Sequence, residues 1–136
     1  MANFHFELVS PERLVFSGEV EQVDVPGAEG DFGVLAQHAP MVTTLRPGIL
    51  TVHGVGGEQK IVVLGGFAEV SADGLTVLAE VAEAMENVDR GTITDRIGEL
   101  ESRIAKTEAG SELDKLITQL DHFKEVDRHL TGTAMH

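Results

Sequence analysis

The chain has 136 residues, no cysteine, and 23 acidic against 10 basic residues, which gives a net charge of −13. This length fits a single domain with a small second unit, and the lack of cysteine excludes disulfide bonds, thiolate metal sites and a cysteine nucleophile. Binding to nucleic acid and adsorption to an anionic membrane both need a basic surface, so the acidic charge argues against these two classes of function.

Residues 1–87 alternate between apolar and polar side chains in short runs, which is the period-two pattern of half-buried β-strands. The run 60–64 is almost wholly apolar and is expected to be buried on both sides. Glycine-rich turns at 54–57 and 73–74 separate the runs, and Asp-Gly in the second is a strong hairpin signal. The predicted strands are 4–8, 23–25, 49–53, 60–64 and 75–79.

Within this half, residues 26–40 combine three glycines with the carboxylates of Glu29 and Asp31, and they contain no Lys, Arg, Ser or Thr. Glycines allow tight turns, but a phosphate-binding loop also needs a cation, and two carboxylates would repel phosphate. We interpret the segment as an acidic surface loop that docks on a partner. Phe32 is its best apolar anchor, and the two acids would set register against basic groups.

The periodicity of the apolar residues changes after about Asp89. From residue 93 to 104 they recur at intervals of four, three and four, which is the spacing of an amphipathic helix. A second stripe runs over 113–123 after a break at 109–110, so the two helices are expected to form an antiparallel hairpin. Gly98, inside the first helix, lowers helix stability and is expected to allow a close helix contact.

These patterns predict a β-rich fold with α. An N-terminal β-sandwich, or flattened barrel of short strands, spans residues 1–87, and a C-terminal antiparallel α-helical hairpin spans residues 88–136. The charge density changes at the same place, because residues 1–88 hold three cations against 13 acids, a net charge of −10, whereas residues 89–136 have a net charge of −3.

No catalytic site is visible from the residues. None of the six histidines has His-x-His or His-x-x-x-His spacing, so no metal site is predicted. A Gly-x-Ser-x-Gly nucleophile elbow is missing, and without Trp or Tyr there is little from which to build a sugar cleft for a carboxylate pair. The tripeptide 65–67, Gly-Gly-Phe, is interpreted as a bulge or tight crossing at a break between two strands. We expect a protein that is not itself an enzyme, with a stand-alone β-sandwich that binds a ligand or peptide as the alternative.

Eight short motifs follow one another along the first 88 residues: Ser10-Pro11-Glu12-Arg13, Val15-Phe16-Ser17-Gly18, Pro26-Gly27, Gly30-Asp31-Phe32-Gly33-Val34-Leu35, His38-Ala39-Pro40, Leu45-Arg46-Pro47-Gly48, Gly65-Gly66-Phe67 and Val77-Leu78-Ala79-Glu80. Their order and spacing resemble the epsilon subunit of the bacterial F-type ATP synthase. A sandwich followed by a helical hairpin is the architecture of that family, and the helical part here resembles it in architecture more than in sequence.

The resemblance implies a non-catalytic rotor subunit in the central stalk of the F1 sector of a proton-translocating ATP synthase. Residues 1–87 would be the rotor-docking domain, which packs on the gamma subunit and rests on the ring of c subunits, so that rotation of the c-ring reaches gamma and the catalytic sites. Residues 88–136 would be a regulatory domain. The residues implied at the c-ring and gamma contacts are Glu29, Asp31, Phe32, His38, Met41 and Val42.

The resemblance also implies a location on the cytoplasmic face of the bacterial inner membrane. The chain would be a peripheral part of the F1 sector there, and its association with the membrane would be indirect, through the complex. The start of the sequence shows no signal peptide, and the lack of an import segment favours a bacterial source.

Some members of this family bind ATP at the hairpin through a motif of Ile or Leu, Asp, two variable residues, Arg and Ala. Residues 88–93 keep Asp89 but carry Thr92 and Ile93 in place of the Arg and the Ala. The cation for phosphate is missing, so no ATP or other cofactor is expected. Other members extend the second helix towards the alpha and beta subunits through basic residues and inhibit ATP hydrolysis. This second helix is net acidic, so we expect weak inhibition or none.

Overall fold

The computed structural model describes the backbone of residues 3–54 and 56–134, and the side chains of 3–54 and 56–130. The chain divides between Asn87 and Val88 into two compact units. Strands build the first unit and two helices build the second, so the predicted fold class is confirmed. The elements are β1 (Phe4–Val9), β2 (Leu14–Val20), β3 (Gln22–Gly27), β4 (Gly30–Leu35), β5 (Met41–Gly54), β6 (Gly57–Ser71), β7 (Gly74–Ala79), β8 (Ala82–Ala84), a 3₁₀ turn (Met85–Asn87), α1 (Arg90–Lys106) and α2 (Ser111–Ala134).

The strands form one sheet in the order β2-β1-β7-β6-β5-β3-β4, with β8 paired to β6, and this sheet folds over into the two layers of a sandwich. All five predicted strands are confirmed, whereas β2, β4 and β8 were not predicted. The prediction that every strand is short is wrong for β5 and β6, which have 14 and 15 residues. They are long because each passes from one layer into the other: the first part of β6 pairs with β8 and its last part with β7.

The core of the sandwich lies between the two layers. Phe6 from one layer and Leu50 and Ile61 from the other are fully buried in a single apolar cluster. Val62 and Val63 are buried as well, so the predicted burial on both faces is confirmed for residues 61–63, whereas Lys60 is exposed and Leu64 is half-buried. Each such side chain contributes about 1.5–3 kcal/mol when it leaves water, which explains why the local alternation predicted these strands well.

Gly65 and Gly66 form the corner at which β6 passes between the layers. Their φ angles are 103° and 130°, a region that favours glycine. A Cβ atom on Gly66 would lie only 2.1 Å from the carbonyl oxygen of Leu78. The predicted tight crossing is confirmed by this close approach, whereas the predicted break between two strands is wrong, because pairing with β5 continues on both sides of the segment.

The two predicted turns join β5 to β6 and β6 to β7. Gly54 pairs with Gly57 across the first turn, and Ser71 pairs with Gly74 across the second. The predicted turn between β5 and β6 and the predicted hairpin of β6 and β7 are therefore confirmed. Val55, in the first turn, lies outside the described residues.

The helices α1 and α2 form the predicted antiparallel hairpin. Arg90 at the start of α1 pairs with Asp127 late in α2 at 3.0 Å. Further along, the guanidinium carbon of Arg96 lies 5.3 Å from the centre of the Phe123 ring, a cation–π contact. Within the described part of the chain, neither helix is long and apolar enough to cross a membrane.

Gly98 is an exposed residue of α1, and the space around the position of an added Cβ is open to 4 Å. The expectation that it allows a close helix contact is therefore wrong. We predict that Gly98→Ala raises the free energy of unfolding by about 0.5–1 kcal/mol, because alanine loses less backbone entropy in a helix. Urea unfolding followed by the helical circular dichroism signal checks this, and a less stable variant would contradict it.

Candidate docking surface

Residues 26–40 form a β-hairpin and a following turn, so the interpretation of the segment as a surface loop is wrong. Strand β3 ends at Gly27 and β4 starts at Gly30, and these two residues pair across a turn made by Ala28 and Glu29. The ladder between β3 and β4 fixes the backbone, and Glu29 is exposed at the turn. We call residues 27–32 the hairpin tip.

Arg46 on β5 contacts the hairpin tip directly. Its guanidinium donates a hydrogen bond to the carbonyl oxygen of Gly27 at 2.6 Å and a second one to the carboxylate of Asp31. The Arg46 side chain is 15% exposed, whereas that of Asp31 is 73% exposed. Asp31 is therefore engaged within the chain, which sequence reasoning missed because the two residues are 15 positions apart.

Three of the other predicted contact residues are partly buried. Phe32 and Met41 pack against the edge of the sandwich core, and the ring centre of Phe32 lies 6.5 Å from that of His38. The Nδ1 atom of His38 lies 2.7 Å from the carbonyl oxygen of Ala39. Val42 differs from these three because it is 67% exposed.

A row of apolar side chains, exposed except for the half-buried Val9, crosses four strands of one layer, and sequence reasoning missed it. Phe67 lies opposite Leu78, and Leu78 lies opposite Val9. Val9 in turn lies opposite Leu14. Phe67, Leu78 and Leu14 are each more than half exposed. With Val42 we define these five residues as the outer apolar patch, and contiguous exposed apolar surface of this kind marks sites of protein contact.

The hairpin tip borders the outer apolar patch. The backbone N–H of Ala28 donates a hydrogen bond to the carbonyl oxygen of Thr44 at 2.9 Å, and Thr44 lies opposite Phe67. The sequence does hold a signal for the patch, because Phe67 and Leu78 occupy outward positions of strands whose inward positions are also apolar. Apolar residues in both phases of an exposed strand indicate a covered outer face.

A polar network lies beside the patch on β1 and β2. The Nε2 atom of His5 lies 3.1 Å from the carboxylate of Glu7, and its Nδ1 atom lies 3.2 Å from that of Glu19. The hydrogen bonds to Glu7 and then to Glu19 raise the pKa of His5 above its ordinary value of 6.5. Glu7 is two positions from Val9 of the patch, so the charge at this rim depends on pH.

We predict that His5→Gln destabilises the protein at acid pH and that its effect fades as the pH rises. Because the pKa of His5 is raised in the folded state, its contribution is fully present below the unfolded pKa near 6.5 and is lost as the pH rises through the folded pKa. Glutamine keeps the hydrogen-bonding capacity but carries no charge. Urea unfolding of the wild type and the variant at pH values below and above the pKa of His5 checks this prediction. A difference in the free energy of unfolding that does not vary with pH would contradict it.

A second polar cluster lies on β3 and β5. Asp24 accepts a hydrogen bond from the amide of Gln22 at 2.6 Å, and its other oxygen lies 2.7 Å from Nε2 of His53. Partial burial would raise the pKa of Asp24, but the hydrogen bonds with His53 and Gln22 outweigh it and hold that pKa below its ordinary value of 3.8. This cluster joins two neighbouring strands, which is a structural role.

Asp89, the residue kept from the ATP-binding motif, is the N-cap of α1. Its carboxylate accepts a hydrogen bond from the backbone N–H of Gly91 at 2.8 Å. Its carbonyl oxygen accepts another from the N–H of Thr92 at 3.0 Å. A cap of this kind stabilises a helix by about 1 kcal/mol, so Asp89 has a structural reason to be present.

The fold and its surface define a class of protein, a β-sandwich with an exposed apolar patch on one layer and an added helical hairpin. Residues 3–85 match the family model described as ATP synthase, Delta/Epsilon chain, beta-sandwich domain. Proteins named ATP synthase epsilon chain are 60% identical in Afipia carboxidovorans and 62% identical in Nitrobacter winogradskyi, each over 136 residues that cover 100% of both chains. The chain therefore belongs to the ATP synthase epsilon chain family, whose members are subunits of an enzyme complex.

Two solved structures share the fold. One is a chain of the Euglena gracilis mitochondrial ATP synthase, with a TM-score of 0.73 and 24% identity, and the match covers 100% of this chain and 83% of that one. The other is a chain from the central stalk and c-ring of the Tetrahymena thermophila mitochondrial ATP synthase, with a TM-score of 0.60, 14% identity, and coverage of 97% and 96%. At these identities the likeness concerns the fold alone.

Proposed function

We propose that this chain is a non-catalytic rotor subunit of the central stalk, which transmits rotation of the c-ring to gamma and so to the catalytic sites of the ATP synthase. The observation that carries the proposal is the outer apolar patch, which continues into the hairpin tip on a chain of the epsilon family. An exposed aromatic side chain that becomes buried on binding, as Phe67 would, contributes strongly to binding in protein interfaces.

The two parts of the surface fit two partners. The outer apolar patch would pack on gamma, the hairpin tip would meet the polar loops of the c-ring, and His38, Met41 and Val42 would lie near the junction. Ala28 of the tip donates a hydrogen bond to Thr44, which lies opposite Phe67 of the patch. The tip and the patch are therefore neighbours on one surface, which supports contact with both partners. The chain would then sit on the cytoplasmic face of the bacterial inner membrane, held there by the complex.

The hairpin is proposed to inhibit ATP hydrolysis weakly or not at all. Two ion pairs of α2 are made within the hairpin, from Asp127 to Arg90 at 3.0 Å and from Lys124 to Glu101 at 4.0 Å. A helix that reaches acidic segments of alpha and beta needs free basic residues. The charged residues of α2 are Lys115, Lys124 and Arg128 against Glu112, Asp114, Asp121, Glu125 and Asp127.

The rotor role is tested by co-purification of the tagged full chain with gamma. Recovery of gamma in a one-to-one complex is expected, and a matched variant with Phe67 and Leu78 both changed to Ser should recover much less. A monomer that leaves gamma behind but binds a small ligand or peptide would support the alternative of a stand-alone binding module.

We predict that deletion of the hairpin from Asp89 onward leaves ATP hydrolysis by the reconstituted enzyme nearly unchanged. The reason is that the net acidic α2 would gain little from contact with acidic segments of alpha and beta. ATP hydrolysis rates with the full chain and with residues 1–88 are compared at equal occupancy of the enzyme. A several-fold increase on deletion would contradict the proposal.

A further inference from the structure

We propose that Arg46 is the positioning residue of the hairpin tip. It holds the tip so that Glu29 faces the partner while Phe32 stays packed on the core, and it engages Asp31 within the chain in place of direct partner contact. The proposal deepens the proposed function and rests on it, because it takes the tip as a docking element. It also makes Glu29 and Asp31 different in role, although both are carboxylates of the same short segment.

The first observation is that the ladder between β3 and β5 is interrupted where Arg46 lies. Asp24 pairs with Thr51, but the next pair is Gly27 with Leu45, so five residues of β5 face two of β3. Backbone groups in such a stretch lose their regular partners, and buried groups without partners are costly. Arg46 lies inside the interrupted stretch, and its guanidinium bridges to the point where the ladder resumes, because it donates to the carbonyl oxygen of Gly27 at 2.6 Å.

The second observation is the burial and charge of Arg46. Its side chain is 15% exposed, and a cation this far from water needs polar partners. The carbonyl of Gly27 and the carboxylate of Asp31 provide them, and a planar guanidinium can bind both at once, which an ammonium group does less well. Because Arg46 neutralises Asp31, the carboxylate of Glu29 carries the remaining negative charge of the tip.

The third observation is that Gly27 links Arg46 to Phe32. A Cβ on Gly27 would lie 2.9 Å from the Phe32 ring and 2.7 Å from the carbonyl oxygen of Gly30. The ring therefore lies directly against the backbone of the residue whose carbonyl Arg46 binds. On the other side, a Cβ on Gly48 would lie 2.7 Å from Pro26. Loss of the Arg46 contact would consequently shift the tip and the Phe32 ring together.

Amide hydrogen exchange of the isolated full chain tests the positioning role without any partner. In Arg46→Ala and in the milder Arg46→Lys, we expect exchange of the amides of residues 28–33 to rise about tenfold or more, while β1 and β7 keep their protection. The matched control is Arg13→Ala, which removes an exposed pair with Glu83 and should leave the tip unchanged. Unchanged tip exchange in both Arg46 variants, or an equal rise in the control, would overturn the proposal.

Binding to a complex of gamma and the c-ring tests the role of Asp31. We expect Glu29→Gln to weaken binding while the amide exchange of the hairpin tip stays as in the wild type. We expect Asp31→Asn to weaken binding only if it also raises the amide exchange of the tip. If Asp31→Asn weakens binding as much as Glu29→Gln with a normal tip, Asp31 contacts the partner and the proposal is overturned. If the wild-type chain does not bind at all, the proposed function and the docking part of this proposal fail, and the exchange result still decides whether Arg46 holds the tip.

Discussion

Replacement of Gly66 with alanine is expected to lower the free energy of unfolding of the sandwich by about 3 kcal/mol or more. The added Cβ would lie 2.1 Å from the carbonyl oxygen of Leu78 and 2.8 Å from Cα of Ala79, and both are backbone atoms of β7. They cannot move away without breaking the pairing of β6 with β7. The φ angle of 130° adds strain for any residue with a side chain. Urea unfolding followed by the β-sheet circular dichroism signal measures the change.

Gly18→Ala is the matched control because Gly18 also lies inside a strand, β2. The nearest atom to its added Cβ would be 3.8 Å away, in the Phe16 ring, which is an ordinary contact. Its substitution should leave the free energy of unfolding unchanged or raise it by up to about 1 kcal/mol, because alanine loses less backbone entropy than glycine inside a strand. Equal stability of the two variants would show that the corner at Gly66 tolerates a side chain.

The Gly66 corner also shows where sequence reasoning ends. Alternation is a local signal, so the strand cores around Phe6, Leu50 and Ile61 could be predicted from it. Two adjacent glycines, however, signal only that the backbone is unusual. Whether the chain then ends a strand or bends within one depends on the partners across the sheet, here β5 and β7. Those partners come from distant parts of the sequence.

The candidate docking surface could likewise be predicted from the sequence only in part. Glu29 and Phe32 could be singled out from composition and order within one segment, and both lie in the hairpin tip. The hydrogen bond from Arg46 to Asp31 could not be predicted, because it depends on the register between β3 and β5 and on an interruption of that ladder. The outer apolar patch was missed for a similar reason, since its members come from five strands and become neighbours only in the folded sheet.

Replacement of Phe67 with alanine is expected to weaken binding to gamma about 30-fold or more, which corresponds to roughly 2 kcal/mol. Phe67 is 55% exposed in the chain, so most of its ring is available to a partner. It lies opposite both Leu78 and Thr44, between the rest of the patch and the hairpin tip. Central aromatic residues of this kind contribute most to protein interfaces. Calorimetric titration of purified gamma with each variant measures the loss.

Two comparisons separate a docking role from a loss of stability. The free energy of unfolding of Phe67→Ala should lie within about 1 kcal/mol of that of the wild type, because an exposed cross-strand pair contributes no more than that. Leu35→Ala is the matched control, since Leu35 is also 55% exposed but lies on β4, outside the patch. It should bind gamma as tightly as the wild type. Equal weakening by the two substitutions would mean that exposed apolar area in general, and not the patch centred on Phe67, governs the contact with gamma.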